Sequence, residues 1–178
     1  MRELVERLRG CEDIFVGSPV GFPSGASKTE VKVFEARQLL VDGVQEMDIV
    51  MNVGRFKNRE YDLVLSELRE IIGLTDERTP TKVIIEIAVL DDEEISSACE
   101  LVIDSGSDFV KTGTGWITGN IDTERVSQIK KICGSRIKVK AAGGIRTRND
   151  FMTLLDMGVE RMGINTRSAI EIVESFPD

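Results

Sequence analysis

Histidine is missing from the whole chain, and that absence removes much of enzyme chemistry at once. No Ser-His-Asp or Cys-His pair can be assembled, and a zinc site loses its commonest neutral ligand. Acid–base work falls to lysine, aspartate, glutamate and the single tyrosine, Tyr61. Cysteine is scarce. Cys11, Cys99 and Cys133 are an odd number and far apart, and the last two fall in helix-like patterns. The expectation is reduced, packed thiols in a cytoplasmic protein. No apolar run approaches the length of a transmembrane helix, and the opening MRELVERLRG is amphipathic and charged, unlike a secretory signal. Positive charge is also in short supply, since 23 Lys and Arg stand against 31 Asp and Glu, a net charge of −8. That balance argues against nucleic acid or an anionic membrane as the main partner. An anionic substrate would need a local positive site rather than a positive surface. Nothing in the sequence asks for a metal or a cofactor.

What is present is an ordinary globular composition, 41% hydrophobic and 30% charged. At 178 residues it is large enough for one real core, expected as a single domain over 1–178. Short apolar runs alternate with longer helical patterns. The candidate strands are DIFVGSPVGF, EMDIVMNVG, KVIIEIAVL, DFVKTGTG, IKVKAAGG and RMGIN. They are rich in Val and Ile, and several end in glycine or polar residues, as buried parallel strands do. Between them EVKVFEARQLLVDG, DDEEISSACELVIDSG, TERVSQIKKICG and TRNDFMTLLDMG have helical spacing. Ser27 with Glu30, and Thr147 with Asp150, fit capping boxes. The strand-helix rhythm predicts an α/β fold with a parallel sheet and right-handed crossovers. A dinucleotide fold would want G-x-G-x-x-G after the first strand, and GFPSG does not match it. Polar residues at the C-terminal ends of several strands point instead to a TIM-type (β/α) barrel. The count is about six strands, against eight in a full barrel.

The stretch DFVKTGTGW sets a lysine at the end of an apolar strand, just before glycines. Lys111 could snorkel, with its stem packed and its ammonium in water. The sharper alternative is a nucleophile made reactive by burial and a neighbouring cation, and the rest of the chain has to carry it. Strand alternation puts Asp48, Val50 and Asn52 on one face, Phe109 with Lys111, and Lys138 with Lys140. Turned inward, Lys111 and Lys140 on neighbouring strands would be a few ångströms apart. Two ammoniums so close disfavour each other's charge, so one pKa falls and a neutral amine becomes available for attack on a carbonyl. Asp48 could pass protons through a water. The glycines offer an anion site. KAAGGIRT supplies amides at Gly143 and Gly144 beside Arg146, and GINTRSA supplies Gly163, Asn165 and Thr166 where a helix starts. The plainer alternative is that these glycines only allow tight turns.

FVKTGTGW followed by VKAAGGIRT resembles the deoxyribose-phosphate aldolase family, and GFPSGASKTEVKVFEA, EMDIVMNVG and KVIIEIAVLDDEEI are similar to its other blocks in the same order. The resemblance covers almost the whole chain. It implies a class I aldolase on a (β/α)₈ barrel, cleaving 2-deoxyribose 5-phosphate reversibly to glyceraldehyde 3-phosphate and acetaldehyde without a metal. By it, Lys111 forms the Schiff base, Lys140 is the second lysine that depresses its pKa, and Asp48 is the proton-relay aspartate. Thr112, Gly113 and Thr114 join the glycine motifs as substrate and phosphate contacts, and Gly113 stands where many members carry serine. Family members also carry two further strands, so an incomplete barrel is expected, covered by a second copy in a homo-oligomer, most simply a dimer. Two other readings stay open: a related Schiff-base aldolase for a different phosphosugar, or an inactive remnant that binds a sugar phosphate or a partner.

Overall fold

Runs of Val and Ile that alternate with charged residues make strands with two different faces, and amphipathic helices cover one of those faces. The computed structural model describes residues 1–177. After a short helix α1 (Arg2–Arg7), the chain runs β1 (Gly17–Val20), α2 (Thr29–Asp42), β2 (Glu46–Val50), α3 (Val53–Lys57), α4 (Tyr61–Ile72) and β3 (Thr81–Ile84). It continues with α5 (Asp92–Ser105), β4 (Phe109–Lys111), α6 (Thr123–Cys133), β5 (Lys138–Ala142), α7 (Arg148–Asp156), β6 (Arg161–Gly163) and α8 (Thr166–Glu174). The six strands lie in sequence order and every neighbouring pair is parallel. A doubly wound sheet would reverse its order at a switch point. This one does not, and it forms the greater part of a (β/α) barrel.

The two strand faces do different work. Met47, Ile49, Val83, Val110 and Val139 are fully buried and pack under the helices in the main core, with Phe56, Leu68, Ile95 and Ile129. A smaller core gathers Val126, Ala141, Ile145, Leu154 and Ile172 beneath α6, α7 and α8. The alternate residues, Glu46, Asp48, Lys82, Lys111, Lys140 and Arg161, occupy the other face, as a period of two requires. The sheet is curled, because Arg161 on β6 reaches Glu46 on β2, four strands away.

Helix starts follow local chemistry, with one correction. Thr147 and Asp150 form the expected capping box on α7. Asp91 and Glu94 form a second on α5, where a run of acids also suits the helix dipole. Ser27 and Glu30 do not form one. Helix α2 starts one residue later, with Lys28 as N-cap, and Thr29 turns its hydroxyl to Glu67 at 3.0 Å. Two apolar runs are also shorter as strands than their composition suggests. The end of KVIIEIAVL coils into a 3-10 turn, Ile87–Val89, and the end of EMDIVMNVG opens α3, capped by Asn52. Cys99 and Cys133 lie on facing helices α5 and α6, both buried and unbridged.

Candidate active site

Three strands of the sheet place the chemistry. Asp48 sits mid-strand on β2, Lys111 closes β4, and Lys140 lies directly opposite Lys111 in the parallel register of β5. The lysines meet on one atom. Nζ of Lys111 donates to Oδ2 of Asp48 at 2.7 Å, and Nζ of Lys140 donates to the same oxygen at 2.8 Å. The ammoniums are therefore no farther apart than these two bonds laid end to end. The side chains of Lys111, Lys140 and Asp48 are 12%, 16% and 14% exposed, so water screens their interaction poorly. Asp48 thus meets both lysines directly.

Beneath them lie residues the motifs had not singled out. Lys82 is fully buried and donates to Oε2 of Glu46 at 2.7 Å, with its ammonium 3.2 Å from Oδ1 of Asp48. Glu46 is paired in turn with Arg161. The alternation that exposed Asp48 also holds Glu46 two residues earlier, and Lys82 stands beside Asp48 in register. The signal was therefore available, but a lysine opening a strand reads as a solvated end.

Charge crowding shifts the titrations. Burial works against the carboxylate of Asp48, yet Lys111, Lys140 and Lys82 together hold it far below the usual aspartate range. The Lys140 ammonium is pushed below the lysine range, first by burial and then by Lys111 and Lys82, with Asp48 opposing. Glu46 is held low by Lys82 and Arg161 against its burial. The arrangement can keep a carboxylate ionised between two amines and exchange protons between them.

A cavity of about 430 Å³ opens beside Lys111, lined by Thr114, Gly143, Gly144, Arg146, Gly163 and Asn165 among others. Most of the predicted anion-site residues are thus gathered around one space. Gly144 must be glycine twice over. Its φ is +86°, and a Cβ there would lie 2.5 Å from the backbone of Asn120 and Ile121. Asn165 caps α8, its Oδ1 accepting from the Ser168 amide at 3.0 Å, and Thr166 is the exposed first residue of that helix.

The structure sets two predicted contacts apart. Thr112 is fully buried and spends its hydroxyl on β5, donating to the Ala142 carbonyl and accepting from the Ala142 amide, both at 2.9 Å. It points away from the cavity because it alternates with Lys111. Gly113 faces a neighbouring space of about 250 Å³ under the loop that follows β4.

Thr114 lines the larger cavity, but its amide donates to Oε2 of Glu86 at 3.2 Å and its hydroxyl to the same oxygen. Glu86 is buried and non-glycine at φ +55°, a sparsely populated conformation that clusters at functional sites. Sequence reasoning had not selected it, since nothing in IIEIAV marks a left-handed residue. Among the described residues, no group of three His, Cys, Asp or Glu is placed to hold a metal ion.

Known proteins of similar sequence and fold place the chain in a family. Residues 20–165 match a family model described as DeoC/LacD family aldolase. The deoxyribose-phosphate aldolase of Thermococcus kodakarensis is 45% identical over 167 residues, covering 93% of this chain and 74% of that protein. The solved structure of an aldolase called QR15 superposes with a TM-score of 0.89 at 39% identity, over 97% of this chain and 78% of its own. A deoxyribose phosphate aldolase from Aeropyrum pernix, whose structure is described as a unique tetramer, gives 0.84 at 31% identity, over 98% and 71%. The chain belongs to the DeoC/LacD family of aldolases, as its motifs suggested.

Proposed function

We propose that this protein is a class I aldolase that cleaves 2-deoxy-D-ribose 5-phosphate reversibly to glyceraldehyde 3-phosphate and acetaldehyde. The observation that carries the reading is the shared oxygen, with Lys111 and Lys140 both bonded to Oδ2 of Asp48 beside a glycine-lined cavity. The Lys111 amine attacks the C1 aldehyde of the open-chain sugar and water leaves, giving an iminium. The C3 hydroxyl then loses its proton, the C2–C3 bond breaks, and its electrons collect on an enamine as glyceraldehyde 3-phosphate departs. Protonation at C2 and hydrolysis release acetaldehyde and restore Lys111. Lys140, whose ammonium is weakened by burial, is suited to take and return protons through Asp48. Glycine amides at Gly143, Gly144 and Gly163, with Arg146 and the start of α8, supply donors for the phosphate.

Borohydride added with substrate tests the reading. A reduced adduct should map to Lys111 by peptide mass. An adduct on Lys138 or Lys140, or none at all, would sink it. The test also decides between phosphosugars, since trapping can be compared across substrates.

The active form is proposed to be a homo-oligomer in the cytoplasm, most simply a dimer. Strands β1 and β6 each pair on one side only, and α2 next to β1 exposes Val31, Phe34 and Val41. The tetramer described for the Aeropyrum pernix aldolase makes association a property of at least one relative. Light scattering that gives a clean monomer at micromolar concentration would refute this.

A further inference from the structure

Beneath the reacting lysines a line of alternating charge runs across the sheet, from Arg161 on β6 to Glu46 on β2, then to Lys82 on β3 and back to Asp48 on β2. We propose that Arg161, Glu46 and Lys82 are positioning residues that fix the Asp48 carboxylate so that a single oxygen serves both Lys111 and Lys140. The proposal rests on the aldolase reading and names residues that the reading does not use.

The terminal torsion of an aspartate is broad and nearly two-fold, so an unheld carboxylate can turn either oxygen toward a donor. Here the two oxygens have separate partners. Oδ1 faces Lys82 at 3.2 Å, while Oδ2 accepts from Lys111 and Lys140. Turning the carboxylate would break all three contacts. Lys82 cannot follow such a turn, because its ammonium is fully buried and bonded to Oε2 of Glu46 at 2.7 Å. Glu46 is secured by its other oxygen, which accepts from Arg161. The ring of Phe109, two residues before Lys111, forms a common floor. Lys82 Nζ lies 5.9 Å from its centroid and the Arg161 guanidinium 5.3 Å.

Arg161 is the distant member. Strand β6 pairs only with β5, so the Arg161–Glu46 pair is a tie that spans the concave face and sets its curvature. Position and curvature are thereby linked. If the tie loosens, Asp48 and Lys140, which come from β2 and β5, drift apart. A misplacement of about 1 Å at such a centre can cost on the order of 100-fold in rate.

A plain structural role would give variants that melt earlier but react normally once folded. Four variants separate the two cases: Lys82→Met, Glu46→Gln/Lys82→Met, Arg161→Gln and Arg161→Lys. The double variant removes an anion and a cation together and leaves only Arg161, whose side chain is part-exposed, without its partner. Each is assayed for kcat and KM on 2-deoxyribose 5-phosphate, for thermal melting, and for labelling with pyridoxal 5′-phosphate and borohydride. Mass mapping of the label reports how it divides between Lys111 and Lys140.

Lys82→Met and the double variant should lose about 100-fold in kcat with KM nearly unchanged, and the label should lose its preference for one lysine. Arg161→Gln should lose about tenfold and Arg161→Lys should recover most of it, because the tie needs a cation at that reach. A cooperatively melting double variant with wild-type kcat and label pattern would overturn the proposal. If the double variant does not fold, Arg161→Gln decides on the same readouts, since that side chain is 37% exposed and replaceable. If the wild-type protein turns over no sugar phosphate, the aldolase reading fails. The string is then judged by labelling, and a pattern unchanged in Arg161→Gln overturns it.

Discussion

Lys32 and Lys82 are both fully buried lysines of one molecule, yet their surroundings differ in kind. Lys32 lies on the helix side, between α2 and α4. It meets Glu67 at 2.5 Å, the Val50 carbonyl at 2.8 Å and the Gly25 carbonyl at 3.5 Å. One ammonium faces one carboxylate, and its three donors are spent. Glu67 is equally buried and takes a further bond from Thr29. On the concave face four cations, Lys82, Lys111, Lys140 and Arg161, share two carboxylates, Glu46 and Asp48. Burial pushes the Lys32 ammonium below the lysine range just as it does Lys140, so burial is common to both regions. The difference lies in charge balance, because Lys111 and Lys82 add to the shift on Lys140, while Glu67 opposes it on Lys32.

Breaking the comparison at its centre should have the largest effect. Lys111→Arg keeps the cation but cannot supply a neutral amine, so borohydride trapping and turnover should both vanish. Trapping that survives would move the nucleophile elsewhere.

Lys140→Leu removes one member of the excess while leaving the nucleophile. Turnover should fall by about 10²–10⁴-fold, the usual range for one proton-transfer group, with trapping still mapping to Lys111. Unchanged steady-state rates would make Lys140 a packing residue.

Lys32→Met probes the balanced lysine. It strands Glu67 and should cost about 3–5 kcal/mol in denaturant unfolding, whereas Lys32→Met/Glu67→Leu should restore most of that. Activity per folded molecule should hold in both. A catalytic defect in the double variant would show that the two regions are coupled through Val50, two residues beyond Asp48 on β2.

The smallest effect is a slope. Asp48 and Glu46 both titrate below their ordinary values in the folded protein. As pH falls the unfolded chain therefore takes up their protons first, and acid favours unfolding. Their stabilisation is present above the ordinary carboxylate range and is lost on passing below it. Melting temperature followed from pH 5 downward should fall, and Asp48→Asn should give a lower and flatter acid limb. A limb of unchanged steepness would mean that Asp48 gains little from its three lysines.

Much of this was legible in the chain. The alternation in EMDIV and DFVK placed Asp48 and Lys111 on one face, and parallel register then brought Lys140 opposite. The glycine pairs marked the cavity wall. What escaped notice depends on contacts that are distant in sequence or on backbone detail. Arg161 meets Glu46 across 115 positions, and only the curl of the sheet brings them together. Glu86 works through a left-handed backbone that no side-chain pattern encodes. The Ser27–Glu30 pair had the right spacing for a cap, but Thr29 was drawn to buried Glu67, and the helix began at a different residue.

The aromatic contact at the mouth of the barrel has a further use. Trp116, the chain's single tryptophan, follows β4 and is 68% exposed. It meets Phe22, which follows β1, edge-on with ring centroids 5.9 Å apart. The two rings bridge loops from opposite flanks of the site, and Trp116 stands two residues from the Thr114 that Glu86 holds. The protein thus carries a built-in fluorophore where these two loops meet. Its emission reports the surroundings of that contact, with no dye and no second tryptophan to confuse the signal.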